Sequence, residues 1–287
     1  MRAGDVDAIL CGLEAARSLK ADGFEILESP RARDFAMLGY LRTENPDLPY
    51  TTAKPSGLLV RKALALAVDR NAIWQQVLGG VGEAMGAFQP MYSRSVEYDA
   101  ARYPVVPFDP DQAIKLLSEA GYANGFGIDI YSFVGSSPEQ PMVDEALAGY
   151  WEAVGLKPRI LTMDFPAFRQ IWVRQKEPDG AAAFNYVGGS RIGSSYRALL
   201  SSEGFFSNQK VPEIDAMLDK LDEQTTIEAY AEKAREILDW QYQNYMSFGY
   251  ATVPATIALR QGIPGWNIGK LYTQFRYEHN CATCTLP

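Results

Sequence analysis

The chain is expected to fold as an α/β protein, with helices flanking a mixed sheet, and three features lead there. The segment 128–163 alternates strand, helix and strand: Ile128–Phe133 alternates as a strand, Pro138–Val154 has a helical apolar face, and Leu156–Met163 is extended again. Two further amphipathic helices carry good terminal signals. Finally, 287 residues with 47% hydrophobic and 12% aromatic content suffice for sizeable cores, with a prior of about two domains.

Val60–Ile73, VRKALALAVDRNAI, sets Val60, Ala63, Leu64, Ala67 and Val68 on one stripe and leaves Arg61, Lys62, Arg70 and Asn71 outside it. Ser56-Gly57 precedes this run and Gly79-Gly80 follows. Helix can therefore continue to Leu78, either unbroken or as two abutting helices with Asp69 capping the second. In Phe108-Asp109-Pro110-Asp111 the residue types spell an N-cap at Asp109 and a first helical position at Pro110. The apolar face is then Ala113, Ile114, Leu116, Leu117 and Ala120, and Gly121 closes the helix.

The remaining elements are shorter. Gly4–Leu13 reads as a short strand or a helix start, and Phe24–Leu27 and Phe35–Leu41 as strands. Thr43–Gly57, with Pro46, Pro49 and Pro55, reads as a loop. Val143, Ala146, Leu147, Tyr150, Trp151 and Val154 form the face of the 138–154 helix, and Gly155 stops it. Asp164 is expected to cap Pro166–Gln175, with Phe168, Ile171 and Trp172 buried, before a strand at Ala181–Val187. Val211–Leu221 and Thr226–Asn244 are helical, the second with a stripe from Ile227 through Tyr230, Ala234 and Leu238 to Tyr245. Phe248–Leu259 is extended and expected to break at Pro254.

The ordered pair VRKALALAVDRNAI and FDPDQAIKLLSEAGY resembles the bacterial family 5 extracellular solute-binding proteins, which feed peptides, nickel complexes and related solutes to ABC importers. The resemblance continues through Asp164-Phe165, Pro212–Leu218 and the Tyr-rich helix before Val253-Pro254. It implies a class II periplasmic-binding-protein-like fold that begins in the middle of the family pattern. Residues 1–37 would be a remnant of lobe I, 38–253 lobe II, and 254–287 a return segment to lobe I. It further implies capture of a peptide-like or other small solute without chemistry, delivery to an ABC transporter permease, and a periplasmic or extracellular location for the full-length protein.

Composition sets bounds. Twenty-seven basic against 35 acidic residues give a net charge of −8 without a visible basic cluster, which argues against nucleic acid. No uncharged apolar run approaches the ~18 residues of a membrane helix. Met1–Asp7 lacks the basic start and apolar centre of a signal peptide. Contact with a membrane is expected only through the permease. Either the true start lies upstream, the account the resemblance favours, or the chain stays in the cytoplasm.

The candidate ligand site is the glycine-rich segment after the 181–187 strand: Asn185, Tyr186, Gly188, Gly189, Ser190 and Arg191. Its glycines allow close backbone approach, while a ring, a hydroxyl and a fixed cationic fork supply contacts. The bland reading of the same residues is a surface turn with a solvated arginine. By resemblance, peptide-binding relatives have a tryptophan here, then an aspartate that pairs with the peptide amine, then an aspartate-proline pair. Tyr186, Gly189 and Gly193-Ser194 fall at those places, so the amine-holding carboxylate is missing. Arg191 then points to a neutral or anionic solute, such as a sugar derivative or acidic conjugate.

No cofactor, metal or enzymatic role is expected. There is no G-x-S-x-G, dinucleotide or Walker pattern, and a catalytic triad would have to use the single histidine, His279. Cys281 and Cys284 beside His279 leave open a zinc site, a tail disulfide or two plain thiols. Cys11 reads as a small buried hydrophobe. Alternative functions are a metal-dependent hydrolase using the tail, or a truncated, non-binding remnant.

Overall fold

A computed structural model of the chain describes residues 1–86, 99, 101–133, 139–164, 166, 167, 170, 180–188, 195–204 and 209–262. Its strands, β1 (Ala8–Cys11), β2 (Glu25–Tyr40), β3 (Glu83–Ala84), β4 (Gly127–Phe133), β5 (Lys157–Met163), β6 (Ala182–Gly188) and β7 (Phe248–Leu259), join in one mixed sheet. The order is β1-β7-β2-β6-β4-β5, with β3 on β7. β4 runs parallel to β5 and β6, and the pairs around β2 and β7 are antiparallel.

β2 is a single 16-residue strand where the sequence suggested two. Charge and Pro30 mask the intervening stretch, but antiparallel pairing with β7 carries it through. β7 likewise does not break at Pro254, and all twelve of its residues are buried. The ladder instead skips the proline: β2 passes from Ser29↔Ala255 to Arg33↔Val253, β1 ends opposite Thr256, and β3 begins opposite Thr252. A residue without an N–H is tolerated where the register is irregular.

Helices cover this frame. α1 (Leu13–Ala21) packs Ala16 and Leu19 with Cys11 and Ala258 in a small core of their own. The main core joins the sheet to α2 (Pro55–Leu66), α4 (Pro110–Glu119) and α5 (Gln140–Ala153), where Trp151 Nε1–H donates to the Leu64 carbonyl at 3.1 Å. Of the two expectations for 60–78, the abutting one holds. α2 stops at Leu66, Asp69 accepts from Ala72 N–H at 2.8 Å to start the short α3 (Arg70–Ala72), and a π-helical turn follows over Ile73–Val77.

α2 begins at Pro55, two residues before Gly57, so the predicted loop ends earlier. Gly57 lies inside the helix because a Cβ there would stand 1.8 Å from the Thr51 carbonyl oxygen. That close approach clamps the 41–54 loop. Tyr50 Oη donates to the Leu41 carbonyl at 2.8 Å and accepts from Ala182 N–H at 2.7 Å, fixing the first residue of β6.

The arginines expected outside the α2 stripe are buried: Arg61 is 2% exposed and Arg70 1%. Arg61 donates to the carbonyls of Tyr50 (2.7 Å), Thr51 (2.9 Å) and Asn244 (2.7 Å), so it satisfies chain ends that the loop brings over the helix. Arg70 donates to the Ala65 and Val106 carbonyls at 2.9 and 3.3 Å and lies 4.5 Å above the Phe248 ring. Burial pulls both guanidinium groups down to about 10, which leaves them charged at neutral pH.

α6 (Ser195–Leu200), α7 (Pro212–Asp222) and α8 (Ile227–Gln243) form a second core around Tyr103, Tyr196, Ile214, Leu218, Ala234 and Leu238. Arg102 and Tyr103 both bond Asp239, and the Arg102 hydrogen bond holds the Asp239 carboxyl below its ordinary range. Two predicted core positions face outward: Ile114 is 47% exposed and Ile227, the first residue of α8, 68%. Cys11 is buried as expected. Asp164 accepts from Ala167 N–H at 2.7 Å, while Phe168, Ile171 and Trp172 lie outside the described residues.

Arg61→Met keeps the aliphatic stem and strands three carbonyls. It should cost about 2–5 kcal/mol in urea unfolding, against less than about 0.5 kcal/mol for Lys62→Met. Tyr50→Phe leaves the Ala182 amide and the Leu41 carbonyl without their shared hydroxyl. It should cost about 1–3 kcal/mol and selectively speed amide exchange at Ala182.

Candidate functional site at the carboxyl ends of β4 and β6

Chain winding reverses at β4. From β4 the chain crosses through α5 to β5 on one side, and it then returns to β6 on the other side. Open α/β sheets bind ligands outside the carboxyl ends of the strands at such a reversal; the segments that leave β4 and β6, 134–138 and 189–194, lie outside the described residues. The strands are in step there: Tyr131 pairs with Phe184, two residues before Phe133 and four before Gly188.

Part of the predicted site lies at the carboxyl end of β6. Asn185, Tyr186 and Gly188 belong to the last turns of the β6 ladder, with backbones opposite Met37, Ala36 and Asp34 of β2. Gly189, Ser190 and Arg191 lie outside the described residues, as does the tail with His279, Cys281 and Cys284. Among the described residues no cluster of three or more His, Cys, Asp or Glu side chains could hold a metal ion.

The structure adds rim residues that the sequence reading missed. Ser132, next to last in β4, is 1% exposed, and its hydroxyl has no hydrogen-bond partner among the described residues. Across the β4–α5 loop, Gln140 Nε2–H donates to Asp144 Oδ1 at 2.7 Å, both side chains buried. Asp34, on β2 beside Gly188, is buried as well. Glu139 stands at the N-cap of α5 but does not cap that helix; its Oε1 accepts from Leu13 N–H at 2.7 Å. The available signal was a glutamate where Ser, Thr, Asp or Asn would normally stand.

A second concavity lies at the far end of α5. It is an open, largely apolar groove of about 380 Å³ between α5 and the π-helical turn, lined by Ile73, Gln76, Val77, Ala146, Tyr150 and Ala153. It offers few polar groups to orient a solute. No helix among the described residues is long and apolar enough to cross a membrane.

Comparisons with known proteins agree with this geometry. The model of "Bacterial extracellular solute-binding proteins, family 5 Middle" matches residues 2–207. Heme-binding protein A of Haemophilus influenzae is 27% identical over 192 residues, 64% of this chain and 33% of that protein. Two solved structures share the fold. A dipeptide binding protein from Pseudoalteromonas sp. in complex with Met-Leu has a TM-score of 0.75 at 20% identity over 94% of this chain. The binding protein AgaA of A. tumefaciens in complex with agropinic acid has 0.71 at 19% identity over 92%. This chain covers 53% of each of those two structures, so it spans about half their length. The chain belongs to the bacterial extracellular solute-binding proteins of family 5, a family of binding proteins and not enzymes, and its mixed α/β fold matches about half of a class II periplasmic binding protein.

Proposed function

We propose that this chain supplies the second lobe of a substrate-binding protein for an ABC importer, capturing a peptide-like or other small solute in an inter-lobe cleft and passing it to a permease. Residues 38–253 act as lobe II, 1–37 as a lobe I remnant and 254–287 as the return segment. The observation that carries the reading is the reversal of winding at β4, the kind of place where open α/β sheets bind ligands, with Asn185, Tyr186 and Gly188 in the carboxyl-end half of β6 beside it. Gly189, Ser190 and Arg191 follow directly in sequence and belong to the same assigned ligand site. The full-length protein works in the periplasm or at the cell surface, in keeping with the extracellular family.

Lobe rotation is absorbed where β2 and β7 lose register across Pro254. Arg191, together with the glycine at 189, favours a neutral or anionic solute over a free-amine peptide. A sugar derivative or acidic conjugate fits that chemistry, and the matched protein in complex with agropinic acid is in keeping with an acidic ligand.

A thermal-shift screen of peptides, sugars and acidic conjugates tests this. At a hundredfold excess over Kd a true ligand adds about 2.7 kcal/mol, a rise of roughly 5–10 °C for a chain of this size. Arg191→Ala should remove the shift for an anionic ligand and leave ligand-free melting unchanged. No shift with any class would instead favour the non-binding remnant.

A further inference from the structure

We infer that Tyr50, held by Arg61, is a positioning residue for the candidate ligand strand: its hydroxyl is spliced into the β2–β6 ladder and sets the angle at which β6 carries the backbones of Asn185, Tyr186 and Gly188. What those backbones are positioned for rests on the proposed ligand site, whereas the splice itself does not.

The ladder shows the splice. Tyr40 faces Ala183, so Leu41 faces Ala182, and Leu41 N–H donates to the Ala182 carbonyl at 2.9 Å. In an antiparallel pair of this kind the two residues exchange both N–H to carbonyl bonds. Here the return bond is replaced: Ala182 N–H donates to Tyr50 Oη at 2.7 Å, and Tyr50 Oη donates to the Leu41 carbonyl at 2.8 Å. The hydroxyl therefore stands between the strands and holds them apart where β6 begins. Burial raises the Tyr50 phenol above its ordinary range, so it keeps the proton that it donates.

The ring that carries this hydroxyl is fixed by its neighbours. It stacks on Tyr40 with centroids 4.8 Å apart, and Arg61 grips the Tyr50 and Thr51 carbonyls at 2.7 and 2.9 Å. Arg61 also reaches the Asn244 carbonyl, just before β7. Two backbone outliers mark the same place. Among the described residues, Arg42 and Tyr245 are the non-glycine residues with a left-handed φ, 57° and 52°. Each directly follows a residue whose carbonyl this pair binds, Leu41 and Asn244. Such conformations cost free energy and persist only where surrounding contacts over-determine them. Tyr50 and Arg61 thus root β2, β6 and β7, three neighbours in the sheet, at one end.

β6 projects from that root. Among the described residues its pairing with β4 runs only from Ala182 to Phe184, and Asn185 to Gly188 pair with β2 beyond the register shift between Met37 and Gly39. At about 3.3 Å per residue Gly188 lies roughly 20 Å along the strand from Ala182, so a turn of about 5° at the root moves it by roughly 2 Å. Binding groups must be held to within about 0.5 Å of their working geometry. The angle fixed at Ala182 therefore decides where the far end of β6 stands.

NMR on the full chain tests the splice. In the parent, a coupling across the hydrogen bond should appear from Leu41 N–H to the Ala182 carbonyl and not from Ala182 N–H to the Leu41 carbonyl; a return coupling overturns the splice. In Tyr50→Phe the ring still fills the gap, so the strands cannot re-pair directly. Residual dipolar couplings should then show the N–H vectors of 183–187 rotated by about 5° or more against β4 and β5, a fraction of the ordinary twist of about 20–25° between strands. Quickened exchange at Ala182 with 183–187 unrotated would reduce the hydroxyl to a local bond and overturn the inference. Equal disturbance of β4 and β5, the mark of general loosening, would overturn it as well. If Tyr50→Phe does not fold, Arg61→Lys decides through the same couplings, since it keeps the cation but not the fork on the two carbonyls. Rotation of 183–187 alone supports the inference, and an unchanged orientation overturns it. No solute enters these measurements: a chain that answers no solute would lose the receptor reading and keep the splice, and an unrotated β6 would do the reverse.

Discussion

The antiparallel pair formed by β2 and β7 is the constraint on which the other elements depend. β2 is the longest strand, β7 is buried along its whole length, and together they join the small α1 core to the main core. β6 borrows its register from β2, and β4 and β5 follow from β6. The carboxyl ends of β4 and β6 are thus placed by a strand pair that lies beside them. Two extended strands can flex where their ladder is irregular, and one of the two irregularities falls at Pro254.

Polar groups with unusual burial stabilise this arrangement. Arg61 and Tyr50 fasten the 41–54 loop onto α2 and the start of β6, and Arg70 bridges the α2 and α3 ends beneath Phe248. These cations bond backbone carbonyls, so they act as multivalent donors where chain ends converge. The cost of burying each charge is offset only while those carbonyls stay in place. The loop, the helix and the first residue of β6 therefore depend on one another.

Short-range chemistry was legible in the sequence. Asp69, Asp109 and Asp164 each accept the predicted capping bond from an amide three residues on, because a cap involves only neighbours in the chain. The strand, helix, strand unit at 127–163 was legible for the same reason. What escaped depends on distant partners. Arg61 and Arg70 looked solvent-facing because a helical stripe does not reveal a loop folding over its other side. β2 looked like two strands because what joins its halves is pairing with β7 on both sides of Pro30. The strand over 182–188 was visible as an extended run, but the role of Glu139 was not, since its partner is Leu13.

Two places compete to hold a solute: the carboxyl ends of β4 and β6 at the switch point and the apolar groove beside the far end of α5. A crystal structure of the full chain with a solute bound separates them. The solute should lie at the carboxyl ends of β4 and β6, within hydrogen-bonding distance of the segment from Asn185 to Arg191. A solute seated against Ile73, Val77 and Tyr150, with the β6 end turned away from it, would contradict the assignment.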